Sequence, residues 1–178
     1  MIKDIAILVE GSAEEAIIDV LIKFDKLIFS SSRLIDEGPI RIRNASEFER
    51  KKLNHRFDKQ ISVYRILDSK NEKFKIKKEF AFKIDKIISL YTTPEIEMLF
   101  ITYFGDYGKF TQSQGGKRGI KPSTYCKENY KKYITNVKSY QSVYDFWSQR
   151  PDDLVNTIRD YARLSPNDDD DTLLAILK

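Results

Sequence analysis

An unbroken apolar run at residues 5–9, "IAILV", meets Glu10 and Gly11 and passes at once into "SAEEAIIDVLIKF". A strand without polar alternation is buried on both faces, and such strands belong to parallel sheets covered by helices. Ala16, Ile17, Val20, Leu21 and Phe24 then recur at helical spacing, so an amphipathic helix follows. Ser12 is placed to cap it, with Glu15 three positions on to close a capping box. The cap accounts for Glu15 without any function. It does not account for Glu10, which ends the strand.

The same unit recurs. A second strand is predicted at 40–43, followed by a helix capped by Ser46. "SVYRILDSK" is a third strand with Asp68 at its end, and "NEKFKIKKEFAFKID" follows as a lysine-rich, amphipathic stretch. "KIISLY" is a short strand. After a turn at 92–94 the apolar helix of "PEIEMLFITYF" begins, with Pro94 in its first turn, where a missing N–H costs little. Strand and helix alternate about four times within the first 104 residues, which predicts an α/β fold with a mainly parallel sheet. Beyond Phe104, "GDYGKFTQSQGGKRGIKPS" reads as a long loop. Helices are predicted over 122–133, 142–147, 152–164 and 172–177, the last with acids at its start, where the helix dipole favours them. The organisation expected is a core over 1–104 and a basic loop with helical extension over 105–178 packed on it.

Composition removes several classes. Cys126 is the only cysteine, so an intrachain disulfide and a cysteine-rich zinc site are excluded. His55 is the only histidine; its charged surroundings, "ERKKLNHRFDKQ", place it on a solvated surface rather than in a triad. No stretch nears the roughly 18 apolar residues of a membrane span, and the first apolar run is too short for a signal peptide. A cytoplasmic location and no membrane partner are expected.

In parallel sheets, sites lie at the carboxyl ends of strands, and both Glu10 and Asp68 end predicted strands. If the two strands are neighbours, their carboxylates share one crevice. A hard divalent ion, Mg²⁺ or Mn²⁺, would relieve their repulsion and polarise a phosphodiester. "ILVEGSAEEAIIDVL" resembles the first motif of TOPRIM domains, a strand ending in Glu-Gly before a helix. The later stretch "YRILDSKNEKF" supplies Asp68, with Lys70 where the usual second Asp of the family's Asp-x-Asp stands. Closest in pattern is the RloB-like subtype, found in bacterial defence loci with OLD-type relatives. Glu10, Gly11 and Glu15 match its opening motif, with Glu14 in place of a threonine, while Pro94 and Glu97 match its Pro-x-x-Glu run. The resemblance covers roughly residues 1–104. It implies a TOPRIM-like, Rossmann-like core and a metal-dependent nuclease in which Glu10, Asp68 and Glu97 are catalytic and hold the metal together with Glu15.

The second half adds cations and rings. Residues 105–140 carry eight Lys or Arg against two acids, interleaved with Tyr107, Phe110, Tyr125, Tyr130, Tyr133 and Tyr140. Cations neutralise phosphates and rings stack on bases, as a single-stranded nucleic acid requires. Lys109, Lys117, Arg118, Lys121, Tyr125 and Lys127 are the candidate contacts to RNA or DNA. Residues 145–171 carry eight acids against three basic residues, so a net charge of only +4 conceals a polarised chain. Two functions are expected to compete. One is a nuclease cutting RNA, tRNA among the candidates, or DNA in anti-phage defence, with an ATPase encoded nearby as a partner. The other is a non-catalytic, nucleic-acid-binding partner of a defence protein.

Overall fold

In the computed structural model, which describes residues 3–70, 72–93, 95–113 and 119–178, four strands form one sheet. They are β1 (Asp4–Val9), β2 (Ile40–Arg41), β3 (Ile61–Leu67) and β4 (Ile84–Tyr91). All neighbours are parallel, in the order β2-β1-β3-β4. The helices are α1 (Ser12–Lys23), α2 (Ala45–Phe48), α3 (Met98–Tyr103), α4 (Tyr107–Ser113), α5 (Pro122–Asn129), α6 (Tyr140–Ser148) and α7 (Pro151–Leu164). This is an α/β fold with a parallel sheet flanked by helices, compatible with a Rossmann-like arrangement. Among the described residues no helix is long and apolar enough to cross a membrane.

The apolar run of β1 is buried because both faces of the sheet are covered. Ile5, Ile7 and Val9 enter one core with Ile17, Leu21, Phe100 and Trp147, while Ala6 and Leu8 enter another with Phe48, Leu53 and Val63. The period of two along a strand sends alternate residues to opposite faces. The first core draws on both halves of the chain. α1 packs on α6 and α3 on α7, and the Phe100 ring lies 5.3 Å from both Phe146 and Trp147.

Four local expectations are corrected. Gly11, not Ser12, caps α1, and no side chain caps it. The Gly11 carbonyl accepts the Glu15 N–H at 3.2 Å, so Ser12 already lies inside the first turn and the capping box does not form. At α2 the cap is Asn44, whose Oδ1 accepts the Glu47 N–H at 2.9 Å, rather than Ser46. The β3–β4 connection is extended, with a 3₁₀ stretch at Lys78–Lys83 in place of an α-helix. Phe74, Ile76, Phe80 and Ile84 pack on the second core while Phe82 is 70% exposed. Phe74 and Ile76 lie in the extended part and Phe80 in the 3₁₀ stretch, so no single helical face collects them. The buried Glu49 carboxylate accepts the Lys77 N–H at 2.7 Å and ties this connection down. In the stretch expected as one long loop, α4 occupies Tyr107–Ser113.

Candidate functional site

The chain runs from β1 outward to β2 and then back across β1 to β3, so the strand order reverses between β1 and β3. In open parallel sheets that reversal opens a crevice beyond the carboxyl ends of the two strands. Leu8 is paired with Arg65; continued along both strands, this register puts Glu10 level with Leu67 and Asp68 just beyond. Glu10 and Asp68 thus stand on either side of the switch point.

They line a cavity of about 240 Å³ with Gly11, Ser12, Glu14, Arg43, Glu95, Glu97 and Lys138. Each strand sends a charge to it: Glu10 after β1, Arg43 after β2, Asp68 after β3, Glu95 and Glu97 after β4. Glu14 arrives from the first turn of α1, and Lys138 from the segment before α6.

The carboxyls are held against their ordinary tendency to ionise. Burial, a hydrogen bond with Glu72 and the charges of Glu72 and Asp68 raise the Glu10 pKa to about 7, opposed by Arg43. Burial, with the charges of Glu95 and Glu14, raises Glu97 to about 7, opposed by Lys138 and a backbone hydrogen bond. Glu97 is only 4% exposed, and its nearest cation, Lys138 Nζ, is 3.9 Å away. Glu14 is raised as well, by burial and by Asp68. Asp68 is exposed and presses on both Glu10 and Glu14, which makes it the electrostatic middle of the group. Glu10 Oε1 is buried without a hydrogen-bond partner. A carboxylate oxygen left without a protein partner in a desolvated acidic crevice has a lone pair free for a water or a cation.

Outside the crevice, Glu72 pairs with the buried Arg65 at 3.2 Å. The Arg65 guanidinium lies 4.4 Å from the Phe74 ring centre. A chain of contacts therefore runs from the interior of β3 through Glu72 to Glu10.

Sequence reading pointed to Glu10, Asp68 and Glu97, and these three share the crevice. Glu15 does not line it; its carboxylate lies 3.7 Å from Arg41 Nε. Glu14 takes that place. Gly11 makes this possible, because a Cβ there would come within 2.5 Å of Glu14 Oε2. Arg43, Glu95 and Lys138 were not anticipated. Arg43 ends a predicted strand and was legible by the argument applied to Asp68, whereas Glu95 stands beyond the turn after β4 and Lys138 is brought in by tertiary packing alone. Glu95 has a second task, since its Oε2 accepts the Ser123 N–H at 3.0 Å in the first turn of α5. Lys70 is turned toward the Tyr91 ring, 5.3 Å from its centre. Among the described residues, no group of three Asp, Glu, His or Cys side chains is placed to hold a metal ion.

The candidate nucleic-acid contacts divide. Lys121 and Lys127 are exposed, at the cap of α5 and on it. Lys109 is bound to Asp106 at 2.6 Å. Tyr125 packs edge-on against Phe110 and Tyr130, with ring centres at 5.3 and 6.0 Å. Lys117 and Arg118 lie outside the described residues, as does Pro94. His55 is exposed.

Comparison with known proteins returns no match: no family model, no curated protein and no solved structure aligns with the chain.

Proposed function

We propose that the chain is a divalent-metal-dependent phosphodiesterase of TOPRIM type that cuts nucleic acid in the cytoplasm. The observation that carries this reading is the crevice at the β1/β3 switch point, where Glu10 keeps an orphaned buried oxygen beside Asp68. The donor set is all oxygen, which fits Mg²⁺ or Mn²⁺. One or two carboxylates suffice for Mg²⁺, which retains several of its waters, so three converging acids are not required. Glu10 and Asp68 would hold the ion, with Glu14 in the same crevice. A bound ion supplies charge to stabilise the phosphoryl oxygens as the bond breaks. Glu97, with its carboxyl near 7, can take up or release a proton at neutral pH. Arg43 and Lys138 face the crevice as cations for the phosphate. RNA, tRNA among the candidates, or DNA as substrate, a role in defence against phage and an ATPase partner come with the resemblance to RloB-like and OLD-type proteins.

A second reading, a non-catalytic nucleic-acid-binding partner, is favoured by Lys70, which stands where TOPRIM enzymes place a second carboxylate and lies against Tyr91 instead. One experiment separates the two. Mn²⁺ and Mg²⁺ are titrated calorimetrically into the wild type and Glu10→Gln, and both proteins are incubated with labelled RNA and single-stranded DNA. The enzyme reading expects binding of the ion and metal-dependent cutting, both weakened in Glu10→Gln. Cutting that survives the substitution would remove Glu10 from the site. Nucleic-acid binding without cutting by the wild type would establish the second reading.

A further inference from the structure

Beside the acidic crevice lies a larger cavity, about 350 Å³, of opposite chemistry. Its polar lining is Ser123, Thr124, Lys127, Thr135, Asn136 and Lys138, and among the described residues no carboxylate lines it. Lys138 belongs to both cavities. The Asn136 side-chain oxygen accepts the Lys138 N–H at 3.0 Å, which leaves the amide NH₂ as the end with donors to offer. Thr135 and Ser142 hydroxyls are bonded at 2.9 Å, fixing the segment before α6 against the start of that helix. Two ammonium groups, hydroxyls and an amide converge on a concavity of the size that admits a small ligand. Such a set favours an anion rich in acceptor oxygens.

The remaining wall is apolar. Ile134 and Val137 are buried in the first core and form part of the lining. One residue earlier, Tyr133 is 60% exposed, with its ring centre 5.1 Å from that of Phe104. A phosphate grip beside an apolar wall suits one nucleotide turned out of any stack.

We propose that this cavity binds a nucleotide of a single-stranded nucleic acid, its phosphate on Lys127, Lys138 and the Asn136 amide, and thereby leads the strand into the acidic crevice. The proposal rests on the reading of the substrate as nucleic acid. It adds a seat for the strand on α5 and the 134–138 segment, away from the sheet, and it does not depend on the metal.

The test measures affinity without metal. Anisotropy of a short fluorescein-labelled oligouridylate is followed in EDTA over a range of salt. The proteins are the wild type, Lys127→Gln, Lys127→Arg, Asn136→Ala and Lys86→Gln, the last an exposed lysine of β4 that controls for net charge. Lys127 and Asn136 are exposed, and unchanged circular dichroism and Tm verify folding. Lys127→Gln and Asn136→Ala are expected to weaken binding severalfold. Lys127→Gln lowers the salt slope by about 0.7, as loss of one phosphate contact to a single strand requires. Lys127→Arg restores the affinity and Lys86→Gln leaves it unchanged. Wild-type affinity in both Lys127→Gln and Asn136→Ala would overturn the proposal, whatever the cleavage assay gives. A duplex bound as tightly as the single strand, or no binding of either, would overturn it as well. If the expected pattern appears and no metal-dependent cutting is found, the cavity assignment stands and the phosphodiesterase reading falls.

Discussion

The two adjacent cavities are built by different means and carry opposite charge. The acidic one is a product of the sheet: parallel strands end at one edge, the residues next after β1 and β3 (Glu10 and Asp68) fall into one crevice, and the segments that follow β2 and β4 bring Arg43, Glu95 and Glu97 to it. The donor-rich one owes nothing to the sheet. It is made by the first turns of α5 and the irregular segment before α6. The sheet supplies stiffness where carboxylates must be held against repulsion. The helical half supplies exposed donors, Lys127 on the short helix α5 and Asn136 and Lys138 on the irregular segment before α6. Two cations, Arg43 and Lys138, stand in the acidic crevice, and Lys138 continues into its neighbour. A phosphodiester spanning the two would meet donors on one side and an acid-held cation on the other.

The comparison predicts that damage to the two cavities separates turnover from affinity. The largest effect is expected from Glu10→Gln, with kcat for metal-dependent cleavage reduced about 100-fold or more, the scale of a lost acid–base or charge-holding group, and KM moved little. A fall in kcat/KM carried mainly by KM would place Glu10 in strand binding and erase the distinction.

Glu97 tests how tightly the sheet side holds its acids. Its carboxyl titrates near 4.5 when unfolded and near 7 when folded. Between these values the folded chain binds the extra proton, so this group's contribution is fully present below pH 4.5 and is lost as pH rises through 7. Glu97→Gln should therefore be more stable than the wild type above pH 7, by as much as about 3 kcal/mol, and the two should converge near pH 4.5. Chemical denaturation at several pH values in EDTA measures this. Parallel curves for the two proteins would mean that Glu97 is not under strain.

Gly11→Ala probes the same crevice more gently. The backbone at Gly11 is extended, with φ −125° and ψ 172°, which alanine adopts readily. The added Cβ must push the Glu14 carboxylate aside. Mn²⁺ affinity is expected to fall about tenfold, as when a group near a metal is displaced, with Tm changed by only a degree or two. Unaltered affinity would show that Glu14 takes no part in holding the ion.

Much of this was legible in the sequence, for reasons that differ by residue. The run at 5–9 could only be a strand covered on both faces, and from it followed the parallel sheet and the position of Glu10. Asp68 was legible by the same rule. The 74–84 stretch was not, because its lysines suggested one amphipathic element, while its apolar residues are divided between an extended part and a short 3₁₀ turn and Phe82 is left exposed. Glu15 and Glu14 are adjacent, and choosing between them required knowing that Gly11 rather than Ser12 begins the helix. The donor-rich cavity was legible only as an excess of lysine and tyrosine. Its shape depends on Ile134 and Val137 being drawn into the core by contacts distant in sequence.

The smallest effect is expected at Lys109, and it sharpens the view that a lysine's contacts, not its charge alone, decide whether it binds a strand. Lys109 Nζ donates to Asp106 Oδ1 at 2.6 Å, and the other carboxylate oxygen accepts the Tyr130 hydroxyl at 2.9 Å. The Lys109 ammonium is already engaged by Asp106, so its removal takes no direct phosphate contact from the strand. Lys127 has no such carboxylate among the described ion pairs. Lys109→Gln is therefore expected to change oligouridylate affinity by less than about twofold and leave the salt slope unaltered, against the severalfold loss for Lys127→Gln. Equal losses from the two substitutions would show that the strand reads the diffuse charge of the helical half, and that the cavity has no privileged role in seating it.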